Sequence, residues 1–83
     1  MIATVQEGIE VYKDNLTWYM RNERYLDEYC SRYNCSLIQE NALRNFHGLP
    51  NRAKELRDMA RVFKLNKEDI HKIYEEIKAT EVF

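Results

Sequence analysis

One seam constrains this chain more than any other feature. Apolar residues recur at alternating spacings of three and four from Ile2 through Val5, Ile9, Tyr12, Leu16 and Tyr19. After Glu23 the seam resumes as Leu26, Cys30, Tyr33 and Leu37. That is helical periodicity at heptad spacing. An unbroken helix over residues 2–37 would run roughly 54 Å at about 1.5 Å per residue. A compact chain of 83 residues has a radius of gyration of roughly 12 Å, hence a diameter near 30 Å. Either the helix breaks near Asn22 and Glu23, where a charge interrupts the seam and Asn can cap a new start, or it is continuous and pairs along the seam with a second chain.

A second stripe, Trp18, Tyr25 and Tyr29, lies off the seam. A helix with apolar groups on two faces is covered on two faces, by its own domain or by a partner. Gly8 weakens this first helix by about 1 kcal/mol relative to Ala without ending it.

The rest of the chain punctuates cleanly. Asn34, Cys35 and Ser36 form a junction, and Ser36 with Gln39 makes a capping box. The next helix runs from Leu37 to about Phe46, with Leu37, Ile38, Ala42, Leu43 and Phe46 as its apolar face. Gly48 supplies a left-handed stop and Pro50 prevents continuation. A third helix then runs from about Asn51 or Arg52 to Lys64, burying Leu56, Met59, Ala60 and Phe63. Asn66 caps a last helix from Lys67 to about Lys78, and Asp69 adds negative charge near its positive end. Ile70, Ile73, Tyr74 and Ile77 point inward, and residues 79–83 form a frayed tail. The expected fold is all-α: a single domain of four to five helices, with an N-terminal arm over 1–34 and a tri-helical unit over 36–78.

Within residues 56–75, Met59, Phe63, Leu65, Ile70 and Ile73 are apolar where two sharply crossed helices must touch, and Ala60 is small where they come closest. This pattern resembles the helix-turn-helix family. The family usually carries Gly in the turn, where this chain has Lys64. A non-Gly residue in left-handed conformation costs roughly 1 kcal/mol. The resemblance implies that the last helix would read bases, through Asn66, Lys67, His71 and Lys72.

Charge weighs against that use. The net charge is −1, whereas phosphate-binding domains carry a clear basic excess. Glu68 and Glu75 lie on the same outward face as the basic groups. The clearest basic constellation is Lys54, Arg57, Arg61 and Lys64, on one face of the third helix opposite Leu56, Met59 and Phe63. Such a stripe suits an acidic protein surface or phosphates. The six Tyr and one Trp suit a protein contact, with Trp18, Tyr25 and Tyr29 as anchors.

Chemistry is harder to place. Cys30 and Cys35 are not in a metal-binding spacing, and His47 and His71 are remote from both. Neither thiol has a histidine at helical spacing, and Gly8 and Gly48 cannot make a phosphate loop. We expect no catalytic residues, no cofactor and no metal. With no apolar run long enough to span a bilayer and no signal peptide, the expected setting is a reducing cytoplasm with both cysteines as thiols.

The whole chain also resembles the small cytoplasmic accessory proteins of T-even-type phages that take part in lysis inhibition. The segments that carry this are Asn22-Glu23-Arg24-Tyr25-Leu26-Asp27-Glu28-Tyr29-Cys30, Leu43-Arg44-Asn45-Phe46, and Asn51-Arg52-Ala53 running into the basic helix. The resemblance implies an antiholin-type factor in the host cytoplasm that binds the cytoplasmic part of a membrane protein, a holin. The sequence thus supports a non-enzymatic protein acting through another protein, with a helix-turn-helix DNA-binding regulator as the alternative. A homodimer built on the N-terminal seam is compatible with either.

Overall fold

The computed structural model describes residues 5–81. It is 87% helical, with four helices among those residues: α1 Val5–Tyr33, α2 Leu37–Phe46, α3 Leu49–Val62 and α4 Lys67–Thr80. The all-α expectation holds. Ile2 and the last two residues lie outside the described part, as does the side chain of Val5.

α1 does not break at Asn22. It is continuous for 29 residues, a length of about 44 Å. The molecule is elongated to match, with extents of 44 × 25 × 20 Å and a radius of gyration of 14.5 Å. The estimate from a compact sphere failed because the domain stretches along α1 instead of truncating it. The Asn22 amide does not cap a new helix; it donates to the Trp18 carbonyl at 2.8 Å, one turn back. Glu23, the charge that seemed to interrupt the seam, receives Arg44 of α2 at 3.5 Å.

The other helices wrap this spine. α2 and α3 return antiparallel along it: His47 sits by Tyr25, Arg52 by Trp18, and Phe63 by Gly8. α4 runs alongside the N-terminal half in the same direction as α1, with Lys13 paired to Glu76 at 3.3 Å and Arg21 paired to Glu81. Tyr12 of α1 is buried with Leu56, Leu65, Ile73 and Ile77, and Ile9, Leu16 and Tyr19 pack against this cluster. Leu26, Cys30 and Leu49 are also buried. The N-terminal segment is therefore no free arm beside a separate tri-helical unit. Tyr12, Leu26 and Cys30 of its seam are buried by the chain itself, Ile9, Leu16 and Tyr19 are half-buried, and Tyr33 is exposed.

Local chemistry sets the boundaries. Ser36 and Asn66 each cap the following helix in a complete capping box, with Gln39 and Asp69 as partners. Before each cap the chain turns left-handed at a non-glycine residue, Asn34 and Lys64, both at φ 55. The Leu65 N–H then reaches the Ala60 carbonyl at 2.8 Å and the Lys64 N–H the Arg61 carbonyl at 3.2 Å, a full Schellman motif. Gly48 is left-handed at φ 74 as expected, but α3 starts at once at Leu49 with Pro50 in its first turn. Pro is tolerated there because that turn's N–H groups have no intrahelical acceptor. α4 continues through Thr80 with Glu81 as its C-cap, so Ala79 and Thr80 belong to the helix and not to a frayed tail.

Two expectations about packing are overturned. Tyr74, read above as pointing inward from the last helix, is exposed. α2 buries none of its residues. Leu37, Ile38 and Phe46, read above as its inward face, are exposed. Its inner side instead carries Arg44, whose Nη2 donates to Asp27 Oδ1 at 2.9 Å and to Glu40 Oε1 at 3.3 Å.

Two substitutions test this packing. A Cβ added at Gly8 would lie 2.6 Å from Phe63 Cγ and 3.0 Å from its Cβ. Gly8→Ala is therefore expected to destabilise by about 1–3 kcal/mol in urea titration, against the gain of about 1 kcal/mol that helix propensity alone would give. Lys64→Gly is expected to raise stability by about 1 kcal/mol by relieving the left-handed strain.

Candidate functional site

The second stripe of α1 remains uncovered by the fold. Val11, Trp18 and Tyr25 recur every seven residues, and Tyr29 and Tyr33 extend the row; all five are exposed large hydrophobics. Asn15 and Asn22 interleave with them. Their amides donate to the Val11 and Trp18 carbonyls at 2.8 Å each, which satisfies them without a partner. The sequence candidates Trp18, Tyr25 and Tyr29 thus share one face of one rigid helix.

The structure adds neighbours to that face. The Arg52 guanidinium lies 4.6 Å from the Trp18 ring centroid, a cation–π geometry, and also bonds Asn15 and pairs with Glu55. The Tyr29 and Tyr33 rings are 4.6 Å apart, and Tyr25 lies 6.5 Å from Tyr29. His47 bridges Tyr25, at 6.2 Å, to Phe46, at 5.9 Å. A groove of about 370 Å³ between the helices is lined by Tyr29, Tyr33, Cys35, Gln39, Ala42 and Leu43. The aromatic row of α1 and the outer face of α2 therefore meet in one apolar surface.

Sequence reading missed Tyr33, His47, Ile38 and Phe46 as members of this surface. α2 has two apolar rows, and its charges hold the clue to which faces inward. Glu40 and Arg44 align with Leu43 and His47, not with Ile38 and Phe46, and the half-buried Arg44 finds its partners on α1 in Glu23 and Asp27.

Of the basic stripe, Lys54, Arg57 and Arg61 lie exposed on α3, but α3 ends at Val62 and Lys64 falls in the left-handed turn beyond it; Arg61 donates to Asp58 at 2.8 Å. The cation that meets the aromatic face, however, is Arg52. On α4, Lys67, His71 and Lys72 are exposed together with Glu68 and Glu75, and His71 Nε2 stands 3.9 Å from Glu75 Oε1. The Asn66 side-chain oxygen is occupied, accepting the Asp69 N–H at 2.8 Å. The outward face of α4 alternates in sign.

The groups displaced from their ordinary acidity are structural. Burial raises the Tyr12 hydroxyl. Burial, then Glu23, raises Tyr19. The Cys30 thiol is raised by burial and by its hydrogen bond with Cys35, so it is protonated at neutral pH and packs as a small apolar group. For Arg44 burial opposes the charge, but the hydrogen bond it donates to Glu40 and the charges of Asp27, Glu23 and Glu40 outweigh it and raise the pKa. Among the described residues no cluster of three or more His, Cys, Asp or Glu is placed to hold a metal, and no helix is long and apolar enough to cross a membrane.

No family model, curated protein or solved structure matches this chain.

Removing the cation from the aromatic face has a direct readout, because the chain has one Trp. Arg52→Ala is expected to increase acrylamide quenching of Trp18 fluorescence while leaving the far-UV circular dichroism unchanged.

Proposed function

We propose that this is a non-enzymatic accessory protein that works by binding another protein along the aromatic face of α1. The observation that carries this reading is the uncovered row Val11, Trp18, Tyr25 and Tyr29 at heptad spacing. Exposed apolar rows on small domains mark interaction sites, and Trp and Tyr are the side chains that anchor them. Heptad spacing suits a partner helix laid along the row, with apolar groups every third or fourth residue. Arg52 beside Trp18, and Lys54, Arg57 and Arg61 on the neighbouring helix with Lys64 in the turn after it, favour an acidic partner and faster encounter with it. This is the behaviour implied by the resemblance to phage lysis-inhibition accessory proteins, with the cytoplasmic segment of a holin as the partner and the host cytoplasm as the setting.

A second reading, DNA binding by α3 and α4, draws support from the left-handed turn at Lys64 and the capped α4. Its weakness is electrostatic. Glu68 and Glu75 accompany Lys67, His71 and Lys72 on the face that would enter the groove, and the net charge of the chain is −1.

Two experiments separate the readings. Affinity capture from the native cell followed by mass spectrometry identifies the partner. Rebinding of that purified partner is expected to weaken at least tenfold for Trp18→Ala with Tyr25→Ala, and for charge reversal at Arg57 and Arg61, with helicity intact. If neither pair changes binding, the surface is assigned wrongly. In parallel, a titration with random duplex DNA at about 50 mM salt, where non-specific affinity is strongest, is expected to show no binding. Binding that falls steeply with salt would favour the DNA reading.

A further inference from the structure

We propose that the outer face of α2 is a homodimer interface, in which two copies pair α2 against α2 antiparallel about a two-fold axis through Ala42. Its residues, all on α2, are distinct from the row Val11, Trp18, Tyr25 and Tyr29 assigned above to a foreign partner, which they adjoin through His47.

The helix face has the profile such a pairing needs. Ile38, Ala42 and Phe46 follow one another at four-residue spacing, so they form one row on the helix. Ile38 is 82% exposed and Phe46 is 86% exposed. The row reads large, small, large. Under a two-fold axis at Ala42, Ile38 of each copy meets Phe46 of the other, and the small central residue lets the two backbones approach. A self-complementary patch of this kind defines an isologous contact.

Charge points to a second copy as the occupant. Of the two charged residues of α2, Arg44 pairs with Glu23 and Asp27 of α1, and Glu40 pairs with Arg44 on that same side. The residues flanking the row are the neutral amides Gln39, Asn41 and Asn45, all exposed. A face without charge carries no code for an acidic or basic partner, and it brings no like-charge repulsion when it meets itself.

Exposure agrees as well: Ile38 and Phe46 are the two most exposed large hydrophobics among the described residues. The groove of about 370 Å³ beside Tyr33 and Gln39 lies at the N-terminal end of α2. That is the end where the antiparallel pairing delivers the Phe46 ring of the second copy.

Sedimentation equilibrium over a micromolar concentration series tests the proposal. The wild-type chain is expected to show a monomer–dimer equilibrium. Ile38→Asp alone and Phe46→Lys alone are expected to remain monomeric, with unchanged helicity and thermal midpoint. Both sites are exposed in the monomer, and each new charge suits its end of the helix dipole. The variant carrying both substitutions is expected to regain the dimer, because the changed residues face each other across the axis. Trp18→Ala with Tyr25→Ala is expected to dimerise like wild type, which keeps this test separate from that of the partner face. A wild-type chain that is monomeric at every concentration would overturn the proposal, as would dimers that survive the single substitutions or a double variant that stays monomeric. Loss of foreign-partner capture by Ile38→Asp in a monomeric protein would assign the face to that partner instead.

Discussion

The burial of one face of α1 by the rest of the chain is the constraint from which the other features follow. A helix of 29 residues cannot be covered by any one of the shorter helices. α2 and α3 therefore run back along it in series, and α4 fills beside them against Tyr12 and Leu16. Phe63 packs directly on Gly8, where the missing side chain on α1 makes room for a ring. Gly8 is costly for an isolated helix but fitted to this packing, which is the usual sense of tertiary context overriding propensity.

Glu23 shows the same logic in its electrostatic form. Taken alone, a carboxylate in an apolar seam argues for a break. In the folded chain it marks the place where α2 docks, because Arg44 reaches Glu23, Asp27 and Glu40 together. Single exposed ion pairs contribute little, but a network around one partly shielded guanidinium fixes position as well as energy. α2 buries no residue of its own. Its place is held by this network, by the capping box at Ser36 and by the ring contacts of His47.

What could be read from the sequence divides along physical lines. Helix ends depend on a few adjacent residues, so Ser36 with Gln39 and Asn66 with Asp69 located the starts of α2 and α4, and the left-handed turn fell at Lys64 despite its Cβ. The heptad seam identified the buried face of α1. Tertiary choices were less legible. Whether α1 breaks at Asn22 depends on a partner for Glu23 that is 21 residues away in the chain at Arg44. Which row of α2 faces inward depends on that same pair. The candidate surface was therefore half visible: Trp18, Tyr25 and Tyr29 declared themselves as a second stripe, while Ile38 and Phe46 looked like core. The DNA-reading and protein-binding alternatives differ in charge and not in backbone shape, and the turn at Lys64 serves both.

The outward row of α2 then needs a reason to be apolar. Packing does not require it, since α2 is held by its other side. Solubility opposes it, because Ile and Phe presented to water favour association. A helix held by its other side would be more soluble with Ser or Lys at Ile38 and Phe46. The combination found here, charges turned inward to hold the helix and hydrophobes turned outward between neutral amides, inverts the ordinary arrangement of a surface helix. That inversion is what a helix requires when its outer side is covered in the assembled state. In the dimer proposed above, α2 would lie between two packings: one within the chain, centred on Arg44, and an apolar one with the outer row of the second copy.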